Sequence, residues 1–86
     1  MITATVTLIF PEGMHARPAS ELVKLAGKFS SEIRIGQNGK FANAKSILGL
    51  MSLGIAGGSS ITIECDGQDE NEAMEKVSSF LTEIVE

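Results

Sequence analysis

The segment ITATVTLIFPEGMHARPASELVKLAGKF, residues 2–29, changes from the period of a strand to the period of a helix across one short turn. Apolar residues alternate with threonine over 2–8, which is typical of a strand with one buried face. Pro-Glu-Gly at 11–13 ends that alternation. Beyond it, apolar residues return at helical spacing and predict a helix with one buried stripe. The stripe consists of Ala19, Leu22, Val23, Ala26 and Phe29.

The next part of the chain predicts a β-hairpin. Asn38-Gly39 is the strongest short hairpin signal, and it predicts paired strands at 32–37 and 40–44. Farther on, apolar and polar residues alternate over 61–65 and predict a fourth strand. We expect Cys65 to be a buried residue of that strand rather than a redox group.

Two more helices are predicted from their caps. Ser46 is a good N-cap for a short apolar helix over 47–53 that Gly54 closes. Asp69 with Glu72 three residues on resembles a capping box before the last helix. The apolar stripe of that helix comprises Ala73, Val77, Phe80, Leu81 and Ile84.

The predicted order of elements is βαββαβα, and we expect residues 1–86 to form a single domain. Four strands, and helices with one apolar stripe each, favour a two-layer α/β sandwich with the helices over one face of the sheet. The long connection from the first strand to the second is expected to cross over with right-handed sense.

Composition excludes several functions. The chain has 86 residues, 43% hydrophobic and 21% charged, which is the balance of a small globular protein with little room for a pocket. One histidine and one cysteine cannot form a Cys/His zinc site or an internal disulfide. A net charge of −4 without a basic run argues against nucleic-acid binding. With no signal peptide and no uninterrupted apolar span, we expect no membrane insertion and a cytoplasmic location.

The single histidine lies where a helix is predicted to begin. Pro18 fits only the first turn of a helix, so we expect the helix to start at about Ala16 with His15 at or near its N-cap. The amides of Ala16 and Arg17 have no acceptor within the helix and can bind an anion. Arg17 adds a planar cation suited to phosphate. These residues leave two interpretations open, a nucleophilic histidine in an anion site, or a histidine that caps a helix beside a solvated arginine.

Four motifs resemble those of one family, the HPr phosphocarriers of the phosphoenolpyruvate-dependent sugar phosphotransferase system. Gly-Met-His-Ala-Arg-Pro-Ala at 13–19 is similar to the family's active-site signature, and residues 45–55 are similar to its regulatory-serine region. Residues 38–40 and 69–73 also fit. The resemblance covers the whole chain and implies an open-faced β-sandwich with an antiparallel sheet in the order 1-4-2-3.

The resemblance implies a carrier rather than an enzyme, with no cofactor and no metal. His15 is then phosphorylated on Nδ1 by phospho-Enzyme I and passes the group to a sugar-specific enzyme IIA. Arg17 and the backbone of Ala16 and Arg17 are expected to stabilise the phosphate. A monomer is expected for a carrier that presents one site to successive partners.

Ser46 has two compatible interpretations. As an N-cap it stabilises a helix by about 0.5–2 kcal/mol. The resemblance implies in addition that an HPr kinase/phosphorylase phosphorylates it for carbon catabolite regulation, which makes a catabolite-control transcription regulator a possible partner. A phosphate there meets free helix amides and adds roughly −1.5 to −2 charges beside a docking surface.

The segment after Ser46 has more apolar residues than one face of a short helix buries. We assign Leu50 and Leu53 to the core and the others to an exposed surface that docks partners. The predicted docking residues are Met14, Pro18, Ser20, Ile47, Leu48 and Met51.

Glu12 departs from the family, in which a small polar residue is more common at this place. Its carboxylate can favour a protonated His15 ring or repel an incoming phosphate, and the sequence leaves both effects open. Three rival functions also stay open: a catabolite-repression paralogue, against which His15 argues, a nitrogen-branch carrier, against which the Ser46 segment argues, and a small interaction domain with an incidental histidine.

Overall fold

A computed structural model describes residues 1–82 and contains every predicted element. In chain order these are β1 (Ile2–Thr7), α1 (Ala16–Ala26), β2 (Glu32–Gln37), β3 (Lys40–Asn43), α2 (Ile47–Ser52), β4 (Ser60–Asp66) and α3 (Glu70–Thr82). Strand β3 ends one residue before the predicted boundary. Ile84, which we assigned to the last apolar stripe, lies outside the described residues.

The four strands form one antiparallel sheet in the order β1-β4-β2-β3, as the resemblance implies. The last strand in the chain therefore lies between the first and the second. In this register Ile63 of β4 pairs with Ala4 of β1 on one side and Ile35 of β2 on the other. The sheet is complete only when β4 pairs with β1, and these two strands are the last and the first in the chain.

The helices cover one face of this sheet, which confirms the predicted two-layer sandwich. Strand β4 buries the side chains at 61, 63 and 65, and helices α1 and α3 pack against each other and the sheet. Fully buried helical positions are Ala19, Leu22 and Ala26 of α1 and Ala73, Val77 and Leu81 of α3. Cys65 is buried as predicted, and burial raises the pKa of its thiol.

The turn between β2 and β3 has the conformation that its sequence predicts. Asn38 and Gly39 have φ of 55° and 81°. Positive φ at both central residues matches the right-handed twist of a two-residue hairpin, and asparagine and glycine adopt it at low cost. No helix within residues 1–82 is long and apolar enough to cross a membrane.

The predicted capping box at the start of α3 is wrong. The Asp69 carboxylate turns away from Glu72 and accepts hydrogen bonds from the amides of Ser30 and Ser31, at 2.9 and 3.0 Å, and from the Ser31 hydroxyl. Ser31 is 1% exposed, so its hydroxyl needs an acceptor within the protein. These bonds, led by that of Ser31, hold the pKa of Asp69 below its ordinary value. Asp69 thus ties the loop before β2 to the loop before α3.

We expect Asp69→Asn to reduce the free energy of unfolding near neutral pH. Because the folded protein lowers the pKa of Asp69, its contribution is present above the ordinary value of 3.8 and disappears as the pH falls through the folded value. The stability difference between wild type and variant should therefore shrink in acid. Urea unfolding at several pH values measures it, with Glu72→Gln as an exposed control. A difference that does not change with pH contradicts the prediction.

Candidate functional site

The loop that leads into α1 is a tight turn fixed by its own backbone. The amide of Gly13 donates to the carbonyl of Phe10 at 2.9 Å, and this bond closes a four-residue turn around Pro11 and Glu12. Proline fits the second position of such a turn, and glycine the fourth. Gly13 has φ of +77°, in the left-handed region that glycine adopts without strain. The turn sets the direction in which His15 enters the helix.

The segment between α2 and β4 packs against the backbone of this turn. Met14 donates its amide to the carbonyl of Ile55 at 3.1 Å. A Cβ atom on Gly13 would overlap that carbonyl oxygen, and a Cβ atom on Gly57 would overlap the carbonyl oxygens of Phe10 and Pro11. The two backbones therefore pack against each other at positions where only glycine leaves enough room. This support was not predicted from the sequence, in which the glycines at 54, 57 and 58 were the available signal.

His15 is the N-cap of α1, as predicted, but its ring does not cap the helix. Its backbone is extended (φ −87°, ψ −173°), its carbonyl accepts from Ala19 at 3.0 Å, and its side chain makes no capping hydrogen bond. The side chain is 42% exposed. The ring therefore lies at the positive end of a helix and open to solvent, while the amides of Ala16 and Arg17 lack intrahelical acceptors.

One charged contact involves the ring, and a second lies in the first turns of α1. The Oε2 atom of Glu12 lies 3.6 Å from Nε2 of His15, so the departure from the family pattern is placed directly at the histidine. The Arg17 side chain is 86% exposed and its Nε lies 4.0 Å from Oε1 of Glu21, one helical turn away. An exposed pair at that distance is weak, so the Arg17 guanidinium is readily available to an anion. Its role in phosphate stabilisation stays a prediction.

Ser46 is the N-cap of α2, as predicted. Its hydroxyl oxygen accepts a hydrogen bond from the amide of Gly49 at 3.1 Å, and its carbonyl accepts from Leu50 at 3.0 Å. The preceding Lys45 extends to the carbonyl of Phe29, 2.8 Å from its Nζ, and so joins the start of α2 to the loop after α1. A hydroxyl at this position lies beside the free amides of a short helix.

Three of the predicted docking residues form an exposed apolar patch on α2. Ile47, Leu48 and Met51 are 40%, 82% and 42% exposed. Leu50 is fully buried as predicted, and Leu53 is partly buried against the core.

The docking role predicted for Met14 and Pro18 does not fit the structure, because both side chains are buried. Met14 is held inward by its bond to Ile55, and Pro18 belongs to the buried face of α1. Ser20 is half-buried and keeps its predicted role only as an expectation.

Comparison with known proteins assigns the family. Residues 2–83 match the family model described as the PTS HPr component phosphorylation site. The chain belongs to the HPr family. It is accordingly a phosphocarrier-type protein and not a catalytic enzyme.

The similar proteins are of two kinds, phosphocarrier proteins HPr and HPr-like proteins Crh. The phosphocarrier protein HPr of Buchnera aphidicola is 45% identical over 84 residues, which cover 98% of this chain and 99% of the relative. The HPr-like protein Crh of Halalkalibacterium halodurans is 48% identical over 81 residues, 94% and 96% of the two chains. The crystal structure of HPr from Bacillus anthracis superposes with a TM-score of 0.90 at 41% identity and covers 94% of this chain and 96% of its own. The family therefore includes both a carrier and a Crh relative at similar identity.

We expect Gly13→Ala to reduce stability more than Gly39→Ala. Both glycines have positive φ, which costs alanine about 1–2 kcal/mol. Nothing lies near a Cβ atom at Gly39, whereas one at Gly13 meets the Ile55 carbonyl, so the loop must shift at a further cost of about 1–3 kcal/mol. Urea unfolding gives the two free energies, and amide chemical shifts of Met14 and His15 report the displacement. Equal losses for the two variants contradict the role assigned to this contact.

Proposed function

We propose that His15 accepts a phosphoryl group and that the protein carries it between phosphotransferase-system proteins. One observation carries the proposal. The His15 imidazole lies at the N-terminus of α1, is 42% exposed and makes no capping hydrogen bond, and its loop is fixed by backbone hydrogen bonds. A carrier needs a nucleophile that several partners can approach, and its orientation must not depend on any one of them. This loop meets both requirements.

The transfer step needs only the ring and a phosphoryl donor. The lone pair of one ring nitrogen, Nδ1 by resemblance, attacks phosphorus. The new N–P bond forms as the bond from phosphorus to the donor breaks, and that electron pair leaves with the donor. The next acceptor attacks the same phosphorus in turn, and the N–P electron pair returns to the ring. No bond within the protein is otherwise changed.

The start of α1 favours the negative charge of the phosphoryl group that this step brings to the ring. The amides of Ala16 and Arg17 and the positive end of the helix dipole favour an anion beside the ring. Arg17 is held only by a weak contact with Glu21, so it can turn to the phosphate oxygens and bind two of them. These groups are fixed or nearby before transfer, so they stabilise the phosphate with little rearrangement.

Partners follow from the same assignment. We infer that phospho-Enzyme I is the donor and an enzyme IIA the acceptor, and that both dock on the apolar patch formed by Ile47, Leu48 and Met51. The patch lies on the helix that packs against α1. Exposed apolar side chains are typical of a protein-docking surface, and methionine adapts to different partners. We further propose a cytoplasmic monomer in which residues 1–86 form the one carrier domain.

Ser46 supports a second, regulatory function. It precedes the exposed patch directly, and a phosphate on its hydroxyl would lie at the α2 N-terminus beside Ile47. We propose that an HPr kinase/phosphorylase modifies it, that the phosphate weakens docking of Enzyme I, and that it promotes binding to a catabolite-control regulator. The similarity to an HPr-like protein Crh supports this regulatory role.

Incubation with phosphoenolpyruvate and Enzyme I tests the carrier function. We expect wild-type protein to gain one acid-labile phosphate and His15→Ala to gain none, because the chain has a single imidazole. Ser46→Ala is the matched control and should still accept the group. Intact-mass spectrometry at neutral pH measures the product. Absence of transfer to wild type would favour an interaction domain with an incidental histidine.

Ser46→Asp tests the regulatory function. A carboxylate at the edge of the apolar patch must lose water or face like charge when a partner docks, so we expect phosphorylation of His15 by Enzyme I to slow by about tenfold or more. Ser52→Asp places the same charge at the other, exposed end of α2 and should have a smaller effect. The initial rate of phosphohistidine formation is measured. An unchanged rate in Ser46→Asp overturns the proposal.

A further inference from the structure

Glu12 places a carboxylate against one particular nitrogen of the His15 ring. Its Oε2 atom is 3.6 Å from Nε2. Within the described residues 1–82, no other carboxylate oxygen lies within 4.0 Å of either ring nitrogen. The two ring nitrogens are chemically different, so a carboxylate at Nε2 acts on them unequally.

The turn that holds the two backbones brings the Glu12 carboxylate close to the His15 ring. Glu12 is the third residue of the turn closed by Phe10 and Gly13, and the amide of His15 donates to the carbonyl of Gly13 at 3.0 Å. The bond from Met14 to Ile55 holds the same stretch against the segment before β4. With both Cα positions fixed, the exposed Glu12 side chain needs only a small rotation to shorten 3.6 Å to a hydrogen bond.

The elements next to the ring bring few other ionisable groups. The supporting segment, residues 54–59, and helix α2 contain no ionisable side chain. On α1, Arg17 lies 4.0 Å from Glu21. In the part of the chain that the structure describes, Glu12 is therefore the carboxylate placed to act on the two ring nitrogens unequally.

A neutral imidazole has one N–H and one lone pair, and a carboxylate can only accept a hydrogen bond. A hydrogen on Nε2 faces Glu12 favourably, whereas a lone pair on Nε2 would face a negative charge. We propose that Glu12 is a positioning residue that holds neutral His15 in the Nε2–H tautomer and so leaves the lone pair on Nδ1. This assignment selects the nucleophilic nitrogen from contacts within the protein.

Its consequence for transfer rests on the proposed function. When the Nδ1 lone pair forms the bond to phosphorus, the ring keeps its hydrogen on Nε2 and becomes cationic. The Glu12 carboxylate then faces a positive charge through that same N–H. No proton has to move during the step, and when Nδ1 later takes back its electron pair the ring returns to the Nε2–H tautomer.

Nitrogen NMR of the unphosphorylated protein tests the tautomer. With ¹⁵N-labelled histidine at about pH 9, where an imidazole is neutral, the Nδ1 and Nε2 shifts give the ratio of the two tautomers. We expect Glu12→Ala to lower the ratio of Nε2–H to Nδ1–H by about two- to fivefold, the range of an exposed charge contact. Glu12→Gln keeps a neutral acceptor and should fall between wild type and Glu12→Ala. Glu72→Ala, which removes an exposed carboxylate from α3, should leave the ratio unchanged.

An unchanged ratio in Glu12→Ala, or an equal change in Glu72→Ala, overturns the assignment. The amide spectrum of each variant shows whether the turn has kept its structure, and Glu12→Gln provides the comparison in which the side chain retains its size. The tautomer measurement uses no phosphoryl donor and no partner. Failure of wild type to accept phosphate from Enzyme I would therefore reject the proposed function and leave the tautomer result standing.

Discussion

The functional surface depends on one backbone contact, the hydrogen bond from Met14 to Ile55. It joins the loop before α1 to the segment after α2 and closes only because Gly13 and Gly57 have no Cβ atoms. Helices α1 and α2 also pack against each other, so the contact fixes the relation between their exposed ends. The His15 ring and the apolar patch of α2 are thereby attached to one framework of backbone and helix contacts.

This arrangement places the candidate site at the surface rather than in the interior. Over residues 1–82 the core is one layer of buried side chains between the sheet and the helices. Helix ends offer unsatisfied amides at the surface, where backbone geometry rather than burial defines a site. A histidine that begins a helix gains orientation from the backbone and access from solvent. A group that must meet a donor and then an acceptor needs both.

The features predicted correctly from the sequence depend on local pattern. The predictions that failed concern side chains whose surroundings are set by contacts between distant parts of the chain. Periodicity, helix caps and the Asn38-Gly39 turn located the elements, because these signals lie within a few residues. Asp69 matched a local cap but binds the exposed Ser30 and the buried Ser31, which become its neighbours only in the folded chain. Met14 was expected at the surface for a similar reason: its inward direction is set by Ile55, about forty residues later in the chain, which no local pattern reveals.

The charges around His15 suit both the unphosphorylated protein and the proposed phosphorylated one. Before transfer, the amides at the start of α1 have no intrahelical acceptor and are open to an anion. In the proposed phosphorylated state, the phosphate would meet the helix amides and Arg17, and the cationic ring would meet Glu12 through Nε2. Each of the two charges of that product would thus have a partner of opposite sign. The same turn and the same helix position all of these groups, so their arrangement is set by backbone hydrogen bonds rather than by a bound partner.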